Sequence, residues 1–134
     1  MDRRRFSTIA HARHEFAVPI ASDRAHELLR VAGVRPGARV LDIGAGFGGW
    51  AALAVEVGAE VVAFEPNPEF VERGRALGPR VKWMDCDYDT ELVANGIFDT
   101  VLLIGSSHAL GGLAAGLHEI DRVLKSGGRA LVGD

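Results

Sequence analysis

Val40-Leu41-Asp42-Ile43-Gly44-Ala45-Gly46-Phe47-Gly48-Gly49-Trp50 decides how the rest of the chain is read. An aliphatic run carrying one acid ends in a glycine-spaced turn, and an alanine-rich stretch begins directly after it. Glycine has no Cβ, so it suits a backbone that must take positive φ or come close to a ligand. A turn that opens a helix also presents N–H groups with no partner inside that helix. The segment therefore reads as a strand from Arg39 to Ile43, a turn able to hold a polar ligand, and a helix from about Gly48 to Val57 that Gly58 stops.

The same alternation continues on both sides. Upstream, Ala25, Leu28, Leu29 and Ala32 share one helical face, Ser22 caps that helix, Gly33 ends it, and Arg35-Pro36-Gly37 makes a turn. Downstream, Glu60 to Phe64 is a second strand. Asn67 then caps a helix with Pro68 at its first position and Glu69 near its positive end. Arg80 to Met84 reads as the third strand, Asp89 to Ala94 as a short helix, and Asp99 to Ile104 as the fourth strand. A helix from about Leu110 to Leu124 is expected to bury Leu113, Leu117, Ile120 and Leu124. Ser126-Gly127-Gly128 forms its exit, and Arg129 to Val132 is the fifth strand.

Strands alternating with helices imply a parallel sheet covered on both faces, and right-handed crossovers make it a doubly wound α/β fold. In such folds ligands sit beyond the carboxyl ends of the strands, where the winding reverses.

The chain of 134 residues reads as one domain, residues 1–134, with an amino-terminal arm over residues 1–20. A net charge of −3 argues against a general nucleic-acid binder, which needs a basic surface. The single cysteine, Cys86, forbids an intrachain disulfide and reads as a small buried thiol. Arg3, Arg4 and Arg5 are followed by no apolar leader, and no segment has membrane-spanning length, so a soluble cytoplasmic protein is expected.

The glycine turn satisfies two templates. Gly44, Gly46 and Gly49 spell the dinucleotide fingerprint G-x-G-x-x-G, whereas Gly44, Gly46 and Gly48 spell G-x-G-x-G preceded by Asp42. The second resembles the first motif of the class I S-adenosylmethionine-dependent methyltransferases: an acid at that strand end can neutralise or orient a cation, and the cofactor this resemblance implies, S-adenosyl-L-methionine, carries both a sulfonium and an ammonium. NAD would bring an anionic pyrophosphate, which a carboxylate repels. Glu65 stands about twenty residues after the turn, at the end of the second strand, where an acid accepts hydrogen bonds from ribose hydroxyls in either class.

From Arg35 to Glu65 the chain resembles the class I S-adenosylmethionine-dependent methyltransferases, and the glycine turn with Asp42 resembles their first motif. Pro66-Asn67-Pro68, Val81 to Asp87, Phe98 to Gly105 and Leu124 to Val132 resemble later segments of that family. Ser126 stands where proline is usual. Ile104 to Gly112, together with the arm from Ile9 to Pro19, resembles a subset of small bacterial members.

The resemblance implies a Rossmann-like sheet of order 3-2-1-4-5 and S-adenosyl-L-methionine as cofactor. It places Asp42, Gly44, Ala45, Gly46, Gly48, Glu65, Pro66, Asp87, Tyr88 and Gly105 around that cofactor. Asp87 would meet the adenine amino group, and Tyr88 would add a backbone or stacking contact. Gly105 and Ser106 would lie where the reacting methyl points. His108 is the candidate general base, while His11 and His14 in the arm could close over the site.

The family domain usually has seven strands. Here strands six and seven are missing, so the chain reads as truncated after strand five. Strand five then becomes an open apolar edge that invites pairing with a second copy. The implied acceptor is a small molecule. An NAD-dependent oxidoreductase and a non-catalytic cofactor-binding module remain open at this point.

Overall fold

β-branched runs bounded by glycine and joined by helices pair side by side in parallel, because each crossover returns the chain to the same end of the sheet. The computed structural model describes residues 22–133; the arm with His11 and His14 lies outside them. Helix α1 spans Ser22–Val31, strand β1 Arg39–Ile43, α2 Gly49–Val57 and β2 Glu60–Phe64. They are followed by α3 (Pro68–Leu77), β3 (Lys82–Met84), β4 (Phe98–Ile104), α4 (Leu113–Val123) and β5 (Leu124–Gly133). The described strands form one sheet of order β3-β2-β1-β4-β5, and every pair is parallel. This is the doubly wound order expected, with β1 and β4 flanking the reversal.

Alternation along β1 sends Val40 and Asp42 to one face and Leu41 and Ile43 to the other. The first face packs under α1 and α2, with Ala25, Leu29, Ala51, Leu53 and Ala54 against Val40 and Leu102. The second gathers Leu41, Ile43, Phe64, Val101 and Leu103 against Ile120 and Val123 of α4. Burying each large aliphatic side chain of these layers contributes about 1.5–3 kcal/mol before the entropy cost is set against it. Helix α2 is buried from Gly49 through Val55, as an all-round apolar sequence requires. Gly58 ends it at φ 104, returning its N–H to Ala54 and Val55.

Several local expectations change. The segment after Asp89 is a single 3-10 turn, Thr90–Leu92, and the third strand shortens to Lys82–Met84. Cys86 is half-buried. The last helix starts at Leu113, after a 3-10 turn over Ser107–Leu110 and two glycines, Gly111 and Gly112, with φ 81 and 109.

Its buried face is Gly116, Ile120 and Val123, whereas Leu113 and Leu117 are about half exposed. The reason is a close approach at Gly116, where an added Cβ would lie 3.1 Å from Leu103 Cδ2. The helix turns that bare position to the sheet and rotates the two leucines outward. Finally, β5 begins at Leu124, directly at the helix end, and its pairing jumps from Phe98↔Leu124 to Thr100↔Arg129. The Ser126-Gly127-Gly128 stretch is therefore an irregularity within the strand. β5 lies at the edge of the sheet.

Candidate functional site

The carboxyl ends of β1, β2 and β4 converge on the glycine turn. Asp42 is the next-to-last residue of β1, registered between Ala63 of β2 and Leu102 of β4. Its side chain is buried, and among the described residues its Oδ2 has no hydrogen-bond partner. Burial first, and the nearby Glu65 carboxylate second, push its carboxyl up to about 7.

Glu65 is buried at the end of β2 and holds the turn together. Its Oε1 accepts the Gly46 N–H at 2.9 Å, and its Oε2 accepts the Asn67 N–H at 2.8 Å. Asn67 in turn accepts the Glu69 N–H on Oδ1, capping α3 as its sequence position requires. Pro66 bridges the two, half-buried. The turn also ties itself to the sheet: Ala45 donates its N–H to the Phe64 carbonyl, and Gly48 donates to Ala45. The N–H groups of Ala45, Gly46 and Gly48 are thus used inside the protein. The polar capacity that the turn turns toward a ligand is chiefly carboxylate.

Two glycines of the turn are dictated by packing partners far along the chain. A Cβ on Gly44 would lie 2.5 Å from the Ser106 Cβ. Ser106 is buried and donates its hydroxyl to the Ile43 carbonyl at 2.6 Å, bracing the end of β1 from the end of β4. Gly48, at φ 84, leaves room for the Trp83 indole, since a Cβ there would lie 2.6 Å from Trp83 Cζ2. That indole also packs on Gly74 of α3. Phe47 is buried beneath the turn, edge-on to Phe70 and with the Arg73 guanidinium 4.1 Å over its ring.

The remaining expected residues fall around this centre. Asp87 is exposed in the segment after β3. Tyr88 is half-buried: its ring meets Phe64 edge-on at 5.1 Å, and its hydroxyl donates to Glu119 of α4 at 2.6 Å. Gly105 follows β4 at φ 69 and donates its N–H to Gly133. His108 is exposed in the 3-10 turn after Ser106. Glu119 and Arg122 escaped the sequence reading, although their spacing of three on the polar side of a helix marks them as a pair.

A separate cleft of about 430 Å³ opens at the amino ends of the strands, lined in part by Arg39, Glu60, Arg80, Lys82 and Phe98. It is at the end of the sheet opposite the turn, so the fold gives it no share in this site.

Residues 40–128 match the methyltransferase domain family. The chain belongs to that family, within the class I S-adenosylmethionine-dependent methyltransferases. It is 33% identical over 102 residues to a demethylmenaquinone methyltransferase of Beutenbergia cavernae, covering 76% of this chain and 42% of that protein. It is 34% identical over 126 residues to a sterol 24-C-methyltransferase of Yarrowia lipolytica, covering 89% of this chain and 30% of that protein. Among solved structures it resembles an S-adenosylmethionine-dependent methyltransferase of Thiobacillus denitrificans in complex with S-adenosyl-L-homocysteine. There the TM-score is 0.82 at 27% identity, covering 96% of this chain and 54% of that one. The chain thus spans less than half the length of the two curated relatives. The match is to a methyltransferase family, so the dinucleotide reading of the glycine turn falls away. Among the described residues no helix is long and apolar enough to cross a membrane.

Proposed function

We propose that this chain holds S-adenosyl-L-methionine beyond the carboxyl ends of β1 to β4 and serves methyl transfer to a small-molecule acceptor. One observation carries the reading: the buried Oδ2 of Asp42, without a partner among the described residues and beside a second carboxylate. An uncompensated carboxylate in that position is costly unless a cation answers it. A ligand with an ammonium and a sulfonium fits these acids, and an anionic pyrophosphate does not.

When bound, this cofactor supplies a methyl group already activated by its sulfonium. The chain's own residues then bind and orient. Asp42 faces the cationic end. Glu65, which already accepts from Gly46 and Asn67, is also the acceptor for the ribose hydroxyls. Asp87 takes the adenine amino group, and the Tyr88 backbone lies alongside. Ala45, Gly46, Pro66 and Gly105 supply the walls. Gly44 and Gly48 let Ser106 and Trp83 seat the turn. Positioning of donor and acceptor is the main contribution such a site makes. His108 takes up the proton from acceptors that must lose one. The quinone and sterol methyltransferases among the relatives support a small, ring-bearing acceptor.

Calorimetry with S-adenosylhomocysteine and with NADH tests the assignment. Binding of the first and not the second is expected, and Asp42→Ala should weaken it by tenfold or more, about 1.4 kcal/mol. Binding of NADH alone would overturn the reading. His108→Gln should leave S-adenosylhomocysteine affinity unchanged while slowing methylation of a demethylmenaquinone probe by about a hundredfold.

A further inference from the structure

Helix α4 reaches the segment after β3 through one dense polar junction. Arg122 donates from Nε and Nη2 to the two oxygens of Glu119, from Nη1 to the Val93 carbonyl at 2.9 Å and to Asn95 Oδ1 at 2.6 Å, and from Nη2 to the Thr90 carbonyl and hydroxyl. Glu119 Oε1 also accepts the Thr90 hydroxyl at 2.8 Å and the Tyr88 phenol at 2.6 Å. Two side chains of one helix thereby hold Tyr88, Thr90, Val93 and Asn95.

The charges suit the task. Hydrogen bonds from Arg122 chiefly, with those from Tyr88 and Thr90, pull the Glu119 carboxyl down to about 2. Burial first and the Glu119 carboxylate second push the Tyr88 phenol up, so it stays a donor. A planar guanidinium with five donors is the group that can bridge a carboxylate and several oxygens at once.

Tyr88 is the far end of this junction and sits one residue beyond Asp87. Its ring closes the path to β2, edge-on to Phe64, the residue before Glu65. The Glu119 contact thus braces the acid-bearing segment after β3 against the strand that carries the ribose acid. The phenol is spent on Glu119, so the side chain acts as a strut between α4 and the sheet.

We propose that Glu119 and Arg122 are positioning residues for base recognition: through Tyr88 they fix the Asp85–Thr90 segment, and so set how strongly the site prefers adenine over a base without its amino group. This rests on the cofactor reading above.

The test uses the whole chain in three forms, wild type, Glu119→Gln and Tyr88→Phe, the last keeping the ring and removing only the hydroxyl. Affinities for S-adenosylhomocysteine and for S-inosylhomocysteine are measured by calorimetry. Amide hydrogen exchange is followed in the free protein. Wild type should prefer the adenine ligand. Both variants should cut that preference by about fivefold or more, mainly by weakening the adenine ligand. Exchange should accelerate within residues 85–95 and leave β1 and β2 protected. A general loss of stability would lower both affinities together and leave their ratio alone. Variants with the wild-type ratio or with unaltered exchange in 85–95 would overturn this inference alone. A wild-type chain with no affinity for S-adenosylhomocysteine would remove the cofactor reading and this one with it.

Discussion

Gly44 and Ser106 touch across sixty-two residues of chain: a Cβ at position 44 would lie 2.5 Å from the Ser106 Cβ. Gly44 also sits at φ 67, where an L side chain is strained. Both effects act on the turn that carries the site. Gly44→Ala should therefore destabilise the fold by about 2–5 kcal/mol, the sum of a left-handed backbone and overpacking. Adding Ser106→Gly removes the clash and also the hydroxyl given to Ile43. The double variant should recover part of the loss in urea unfolding. If it were no more stable than Gly44→Ala alone, the contact would not be what makes glycine necessary.

Asp42 makes the free protein pH-sensitive. Its carboxyl titrates at about 7 in the fold against 3.8 as the ordinary value. Between those values the folded form holds a proton that the unfolded chain has released. Stability therefore falls as pH rises through that window and stays low above it. The full effect is on the order of 4 kcal/mol. Asp42→Asn mimics the protonated group, so without ligand it should raise the melting temperature near about pH 8.5 and leave it unchanged near about pH 4. The same variant should bind S-adenosylhomocysteine more weakly at the higher pH. A melting gain equal at both pH values would show that the Asp42 charge is not the cause.

Affinity of the wild type should run the other way. The ionised carboxylate is the form that answers the ligand's ammonium, which S-adenosylhomocysteine keeps after losing the sulfonium, so this ligand should bind more tightly as pH climbs through about 7. Calorimetry in buffers of different ionisation heat would report proton release on binding. Proton uptake would contradict the assignment of Asp42 to the ammonium end.

Glu65 holds the glycine turn through both of its oxygens, and the proposed ribose contact would give it a second task. Glu65→Gln keeps one acceptor oxygen and replaces the other with a donor that faces an N–H of Gly46 or Asn67. A loss of about 1.5–3 kcal/mol of stability is expected from that mismatch. Affinity for S-adenosylhomocysteine should fall more than affinity for its 2′-deoxy analogue, because the ribose contact is what the ligand loses. Equal losses for both ligands would assign Glu65 to the turn alone.

Thr100 is buried in β4 and donates its hydroxyl to the Ala32 carbonyl at 2.8 Å, tying the end of α1 to the sheet. Thr100→Val keeps the shape and strands that carbonyl. Chemical denaturation should show a loss of about 1–3 kcal/mol with ligand affinity unchanged.

Much of this architecture was written in local pattern. Strand runs, the Asn67 cap with Pro68, the stop at Gly58 and the acids Asp42 and Glu65 at strand ends all follow from periodicity and from single-residue backbone preferences. Such signals span a few residues, so a chain read in order displays them. The doubly wound parallel sheet followed from the same alternation and its order 3-2-1-4-5 from the family resemblance, and the observed pairing agrees.

Tertiary structure decided the rest. Gly48 is glycine because Trp83 occupies its side-chain space, and Gly44 because Ser106 does. The buried face of α4 turned on one close approach of Gly116 to Leu103, which outweighed the helical spacing of Leu113 and Leu117. Tyr88 was expected beside adenine from the family resemblance, but its bond to Glu119 was not legible in the sequence. The physical reason is common to all four. Periodicity states which side of an element is apolar, whereas contacts between remote segments depend on the depth and rotation with which elements meet. Those are fixed only when side chains from both partners fill the same space.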